Sequence, residues 1–346
     1  MADAPQEDSL SEAILHQARL LEFDIVRIAP AVSPPGFHPL LKWIDNGYAA
    51  DMDWIERRQQ AYEHPDGVLP GTRSVIVVAL NYANEEPPPD ASFRISRYAW
   101  GTSDYHTIIR QRLKQLSRFL RDRRPEAWCR PVVDTAPLLE RDFARIAGIG
   151  WFGKNTMLIS RDIGSWFFLG ALLTDQVLDY DEAFESDFCG RCTACLDACP
   201  TDAFPEPGVL DANRCISYLT IERREKAIAD DLATGMGNWI FGCDICQDVC
   251  PWNRFAPKSS LPEFQPREEL ATTTLMDLLQ LDARAFDSLF SGTPLHRTGR
   301  DAIVRNAAIA AGNQQLSECV PVLQRLIDDE AEIVRLAARQ ALQKLA

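Results

Sequence analysis

The run CGRCTACLDACP at residues 189–200 constrains this chain more than any other stretch of its 346 residues. Its cysteines, Cys189, Cys192, Cys195 and Cys199, follow at gaps of two, two and three residues and end against Pro200. Tetrahedral zinc sites usually pair two Cys-x2-Cys units across a long loop, a different pattern. A disulfide framework would spread its sulfurs over the fold, whereas eight of the ten cysteines lie between 189 and 250. This spacing is instead the bacterial ferredoxin run, in which three closely spaced thiolates grip one iron–sulfur cube and the fourth, before proline, ligates another.

A second run, GCDICQDVCP, repeats only the last three elements, as Cys243, Cys246 and Cys250 before Pro251. By the crossing rule Cys189, Cys192 and Cys195 take Cys250 as their fourth ligand, while Cys199 joins Cys243 and Cys246. A regular motif would place the missing thiolate at position 240, which is Ile240; the cysteine left over within the module is Cys215, in NRCISYLT, and it is expected to be the displaced ligand. Cys129 and Cys319 lie outside the module and are expected to be buried structural thiols. Two cubes in series conduct single electrons. A conduit implies a sink, so the remaining bulk of the chain is expected to hold a redox centre or a substrate pocket.

Upstream of the module, residues 9 to about 180 alternate helix and strand signals. SLSEAILHQARLLEF opens with a serine cap and an amphipathic period, and SVIVVALNY (74–82) is a β-branched run of the kind buried on both faces of a sheet. NEEPPPDA (84–91) breaks regular structure and is expected to be an exposed loop. A basic helix over about 104–122 sets Arg110, Lys114, Arg118 and Arg121 opposite Ile109, Leu113, Leu116 and Leu120, the pattern of a solvated face over a core stripe or, alternatively, of a local basic surface for nucleic acid. WCRPVVD predicts a second buried strand ending at Asp134, TAPLLERDFARIAG a helix with Pro137 in its first turn and Gly148 just past its end, and NTMLIS and GSWFFLGALLT two further strands.

These signals predict an α/β (α+β) domain over 1–180, a ferredoxin-like module over 181–258 and a helical tail over 259–346. In the tail VRNAAIAAGN (304–313) returns as VRLAARQAL (334–342), small residues at helical spacing that suggest stacked helix pairs of HEAT type. Two such units are too few to stand alone, so the tail is expected to pack on the rest of the chain. MADAPQED at the start lacks the basic, then apolar, character of a secretory signal, and no run reaches the length of a membrane span; with clustered thiols this predicts a cytoplasmic protein. A formal charge of −14 argues against indiscriminate nucleic-acid binding, although a local basic surface remains compatible with it.

Two further stretches carry candidate chemistry. GIGWFGKN offers Gly148, Gly150 and Gly153 with Lys154, which is neither a dinucleotide fingerprint nor a P-loop; it reads as a tight turn or as a backbone cradle for an anionic or amide-rich ligand. Asp134, at a strand end, either caps the next helix or, in an apolar pocket that raises its pKa, serves as a proton donor.

Taken together, SRYAWGTSDYH, VVDTAPLLERDFARIAGIGWFGKN, GSWFFLGALLT, the cysteine module with CISYLT and the RNAAIA tail resemble the epoxyqueuosine reductase family, in the family's order and through nearly the whole chain. The resemblance implies a cytosolic enzyme that reduces the epoxide of epoxyqueuosine to queuosine at the wobble position of tRNA. It implies cobalamin in a domain similar to the nitroreductases, two 4Fe–4S clusters and a HEAT-like tail that helps hold tRNA. It makes Asp134 the proton donor, and Ser96, Arg97, Tyr105, Asp134, Lys154, Asn155, Leu158, Ser165, Leu169 and Ser217 the corrin-lining set. DYHTII keeps Asp104 and His106 but lacks the glycine that completes Asp-x-His-x-x-Gly, so His106 is not expected to ligate cobalt; a structural role is expected for it, and no cofactor role is assigned to Arg57 or Arg58.

For the tRNA partner the candidates are Arg223, Arg224 and Lys226 after Cys215, and Arg297, Arg300 and Arg305 at the start of the tail. A separate electron donor is implied, and a monomer is expected. Two other functions fit parts of the pattern. A cobalamin-dependent reductive dehalogenase would share the cofactors but normally carries a twin-arginine signal, which MADAPQEDSL does not resemble. A non-catalytic iron–sulfur electron-transfer protein would lack cobalt.

Overall fold

The computed structural model describes residues 9–84 and 92–346. Most of the acidic first segment and of the proline-rich stretch, residues 1–8 and 85–91, lies outside the described residues, and with them the expectations made there. The chain divides into two compact units. One takes in the described residues of Met1–Asn46, Asp53–Asn81 and Tyr105–Arg191; the other comprises Gly47–Met52, Tyr82–Asp104 and Cys192–Ala346.

In the first unit, four strands, β1 (Ile25–Pro30), β2 (Ser74–Asn81), β3 (Cys129–Val132) and β4 (Phe167–Thr174), form a sheet in the order β1-β2-β4-β3. Every pairing is antiparallel, with Ile28 opposite Ile76, Val77 opposite Ala171, and Val132 also opposite Ala171. The β-branched run is central, and all of β2 is buried. Its alternate residues serve two layers. Val75, Val77 and Ala79 join Ala171 and Leu173 in a core with Phe143, Ala144 and Ala147 of helix α3 (Glu140–Ile146) and the residue just past it. The opposite face meets helix α2 (Tyr105–Arg123), whose Ile109, Leu113, Leu116 and Leu120 are buried while Arg110, Lys114, Arg118 and Arg121 are exposed. Gly170 makes that contact close: a Cβ there would lie 2.7 Å from Ile109. Helix α1 (Leu10–Leu20) begins with a capping box between Ser9 and Glu12 and packs beside α2.

Two local expectations need correction. WCRPVVD is an edge strand, half-buried and ending at Val132, and the edge position is what tolerates Pro131, which has no N–H for a second neighbour. Helix α3 starts at Glu140, with Pro137 before it rather than inside its first turn, because residues 133–138 are folded into tight turns. Gly148 does stand just past the helix end, at φ +80°.

The second unit holds the other seven module cysteines. Helix α4 (Ile216–Ile221) begins immediately after Cys215, and the short strand Trp239–Phe241, paired in parallel with Arg94–Ile95, leads into Cys243. The echoed segments are helices α5 (Arg300–Asn313) and α6 (Glu332–Leu345). They pack closely through small residues: a Cβ on Gly312 would lie 2.8 Å from Ala341. Among the described residues no helix is long and apolar enough to cross a membrane.

Candidate active site and cluster ligands

In the first unit the chain leaves the edge strand β3 and turns sharply at Asp134, whose φ is +56°. The Thr135 N–H closes back on the Val133 carbonyl at 2.5 Å, a three-residue turn of a strained kind, and aspartate tolerates it better than most residues. Strain of this sort persists where neighbours hold it, as at functional sites. Here Glu140 Oε1 accepts the Asp134 N–H at 2.7 Å and Arg58 donates to the Thr135 carbonyl at 2.9 Å. The carboxylate itself accepts from the Tyr105 hydroxyl at 3.0 Å and lies 3.1 Å from His106 Nε2. Tyr105 is fixed in turn by stacking on Phe168 of β4, with ring centroids 4.1 Å apart.

The electrostatics correct one expectation. Burial works to raise the Asp134 pKa, but the hydrogen bond and charge of His106, then Tyr105 and Arg141, outweigh it, and the carboxyl is held below its ordinary range. The raised acid is its neighbour: burial, then the charge of Asp134, push Glu140 up to about 8. His106, 3 % exposed, has more than a packing role, because it faces the carboxylate. Arg58 and Glu140 were not predicted; the contacts run 77 and 6 residues along the chain and follow no motif.

The other proposed corrin contacts divide between the units. Lys154 Nζ donates to the Gly190 carbonyl at 2.7 Å, Asn155 and Ser165 are buried, and Arg141 donates to the Thr156 carbonyl, anchoring the glycine-rich turn to α3. Leu169 is half-buried, and the Leu158 side chain is buried in the hydrophobic core. In the second unit the Ser96 hydroxyl and the Arg97 N–H both bind the buried Asp244, and Arg97 also pairs with Asp248 at 2.7 Å. Ser217 is half-buried in the first turn of α4.

None of the ten cysteines is joined in a disulfide. Within the second unit Cys215 lies near Cys199, Cys243 near Cys215 and Cys246, and Cys246 near Cys215, Cys195 and Cys199; burial, with these neighbours adding to it, pushes the Cys215, Cys243 and Cys246 thiols up. The expected displaced ligand is therefore brought to the cysteines it was assigned to join. Such a group is an all-sulfur donor set that ionises only against a cationic cage, which fits an iron–sulfur cluster. Among the described residues no three His, Cys, Asp or Glu side chains are placed to hold a single metal ion; a polynuclear cage, taking one thiolate per iron, spreads its ligands instead. N–H groups also face the sulfurs, with Ala203 donating to Cys199 Sγ at 3.3 Å.

The basic candidates differ in what they can reach. Lys226 and Arg223 converge on Asp51, at 2.6 and 3.8 Å, which partly neutralises both. Arg224 and Arg297 are partly exposed, Arg297 pairing with Asp104 at 2.8 Å. Arg300 is tied to Asp329 through both terminal nitrogens. Arg305 is 1 % exposed and donates to the carbonyls of Leu219, Arg223 and Lys226, so it cannot touch RNA; it is a structural clamp.

Comparison with known proteins agrees with this layout. A family described as "4Fe-4S double cluster binding domain" matches residues 188–253, and one described as "Epoxyqueuosine reductase QueG, DUF1730" matches residues 63–135. The epoxyqueuosine reductase of Pseudomonas aeruginosa is 40% identical over 329 residues, covering 93% of this chain and 90% of that one. That of Escherichia coli is 41% identical over 291 residues, covering 81% and 75%. A crystal structure of epoxyqueuosine reductase with an epoxyqueuosine-modified tRNA-Tyr stem loop superposes with a TM-score of 0.90 at 31% identity, covering 97% of this chain and 90% of that one. A Bacillus subtilis structure, described with its Asp134 catalytic loop (in that enzyme's numbering) swung out of the active site, superposes with a TM-score of 0.88 at 30% identity and the same coverage. On these matches, over a fold and a cysteine set that agree with them, the chain belongs to the epoxyqueuosine reductase family of oxidoreductases.

Proposed function

We propose that this chain reduces epoxyqueuosine to queuosine in the wobble position of a tRNA in the cytoplasm, with Asp134 delivering a proton to the departing epoxide oxygen. Converting an epoxide to an alkene takes two electrons and two protons and releases the oxygen as water. Cobalamin, the cofactor of this enzyme class, supplies when bound a strongly reducing cobalt centre able to act on the ring. The residues suit a corrin: buried Asn155 and Ser165 offer amide and hydroxyl groups of the kind that meet its peripheral amides, and Leu169 offers a part-exposed apolar side chain. His106 Nε2 is turned to Asp134, which supports leaving it out of the cobalt's ligands.

On this reading residues 1–180 form the cobalamin-binding domain, similar to the nitroreductases, 181–258 the cluster module and 259–346 the HEAT-like tail. Cys189, Cys192, Cys195 and Cys250 would hold one cube and Cys199, Cys215, Cys243 and Cys246 the other, and the two clusters when bound would supply single-electron transfer from a separate donor. Tyr105 and His106 orient the Asp134 carboxyl, and because their contacts favour its ionised form, the proton that Asp134 passes to the epoxide oxygen is drawn from His106 Nε2, 3.1 Å away. Arg223, Arg224, Lys226 and Arg297 contribute positive charge toward RNA phosphates, with Arg300 limited by Asp329. The enzyme is proposed to act as a monomer.

The observation that carries the reading is the Asp134 turn, a strained backbone whose carboxylate is hydrogen-bonded by two side chains from the start of α2. The test is anaerobic turnover of an epoxyqueuosine-bearing stem loop by the cobalamin-loaded protein and by Asp134→Ala. The variant is expected to keep its metals and bind the RNA yet form no product; normal turnover would remove Asp134 from the mechanism.

A further inference from the structure

The ligand Cys215 stands apart from the run that supplies its partners, at the head of a helix of only six residues, Ile216–Ile221. Such a helix cannot hold its own position, so something else must set where that sulfur lies. We propose that Thr220 and Asn306 are positioning residues for Cys215, so that α5 of the C-terminal tail helps to set the reduction potential of the second cluster. This rests on the assignment of Cys199, Cys215, Cys243 and Cys246 to one cluster.

Thr220 is wholly buried. Its hydroxyl donates to the carbonyl of Ile216, the residue after Cys215, at 2.8 Å, and accepts the N–H of Gly242, the residue before Cys243, at 2.9 Å. One hydroxyl therefore bridges the chain neighbours of two ligands. Asn306, also wholly buried, repeats the bridge from outside: its Nδ2 donates to the carbonyl of Thr220 at 3.0 Å and to that of Ile240 at 2.8 Å. Arg305 holds the amide in that orientation, donating to Asn306 Oδ1 from Nε at 3.0 Å and from Nη2 at 2.9 Å, while Nη2 also reaches the Leu219 carbonyl at 2.8 Å. The brace thus ties α4 to the strand that leads into Cys243, with buried groups from a helix about ninety residues on.

The link to potential runs through the N–H groups of Ser217 and Tyr218, which face the Cys215 sulfur. Hydrogen bonds to cluster sulfurs are among the determinants of cluster potential. A shift of α4 moves the sulfur and those N–H groups together. In the sequence none of Cys189, Cys192, Cys195 and Cys250 neighbours a residue of the brace, so the effect should fall on one cluster.

The experiment is a potentiometric titration, followed by electron paramagnetic resonance, of the anaerobically purified holoprotein and of Thr220→Val, Thr220→Ser and Asn306→Ala, with iron counted in each. Thr220→Val keeps the shape and removes the hydroxyl. One cluster of Thr220→Val should change its reduction equilibrium by about tenfold, ~59 mV for a one-electron couple. The other cluster should titrate as in the parent, Thr220→Ser should restore the parent value, and Asn306→Ala should disturb the same cluster. Two parent-like clusters in both Thr220→Val and Asn306→Ala would overturn the inference. So would an equal disturbance of both clusters that Thr220→Ser does not reverse. If Cys215→Ser leaves both clusters intact, the ligand assignment fails instead, and the inference with it.

Discussion

Asp134→Asn keeps the shape of the side chain and removes its acidity. It should lower the single-turnover rate by about 10²–10⁴-fold, the usual range for a lost general acid, with RNA affinity and iron content unchanged. A rate within threefold of the parent would argue against the assignment. Glu140 makes a separate prediction about stability, because burial and the Asp134 charge raise its folded-state pKa from 4.5 to about 8. Between those values the unfolded chain has given up a proton that the folded chain keeps. Its contribution is therefore full below the unfolded value and lost as pH rises through the folded one. Glu140→Gln should flatten the fall in thermal midpoint over that window, and identical pH slopes in parent and variant would contradict it. At this scale the sequence was legible where spacing carries chemistry: the cysteine gaps led to Cys215 as the proposed displaced ligand, and the structure places it beside Cys199 and Cys243. It was not legible where function depends on contacts remote in sequence, as with Arg58 on Thr135 or His106 on Asp134.

Among the elements, β4 and α2 pack closely at Gly170. Gly170→Val would drive a side chain into Ile109 and Leu113, and overpacking of this kind should cost about 1–3 kcal/mol, measurable as a lower denaturation midpoint. A midpoint equal to the parent's would mean that α2 can withdraw without loss. The amphipathic period of α2 and the apolar run of β2 were readable because burial on one side or both leaves a direct mark on composition. The register and antiparallel sense of the sheet were not, since strand order depends on pairings between distant segments. The edge position of β3 had one signal, Pro131, which is poorly suited to a central strand. The late start of α3 had none in its apolar pattern, because the turns at 133–138 are set by the Asp134 backbone.

On the scale of the molecule, a chain with a formal charge of −14 must hold RNA through a few cations against its own field. If Arg224 and Arg297 each neutralise one phosphate, reversing either to Glu should weaken stem-loop binding most at low salt. It should also reduce the slope of log affinity against log salt by about 0.7–0.9. Unchanged slopes would remove them from the interface. The candidate Arg305 shows why charge in a sequence does not locate a surface: its guanidinium is spent on backbone carbonyls inside the second unit. The central claim is that sulfur-bound clusters and a corrinoid together drive epoxide reduction. Its most direct test is to purify the chain without oxygen from cobalamin-fed cells, count its metals and assay it on an epoxyqueuosine stem loop. About eight irons and one cobalt per active chain are predicted from two 4Fe–4S cubes and one corrin. Full turnover by colourless protein free of both metals would contradict it.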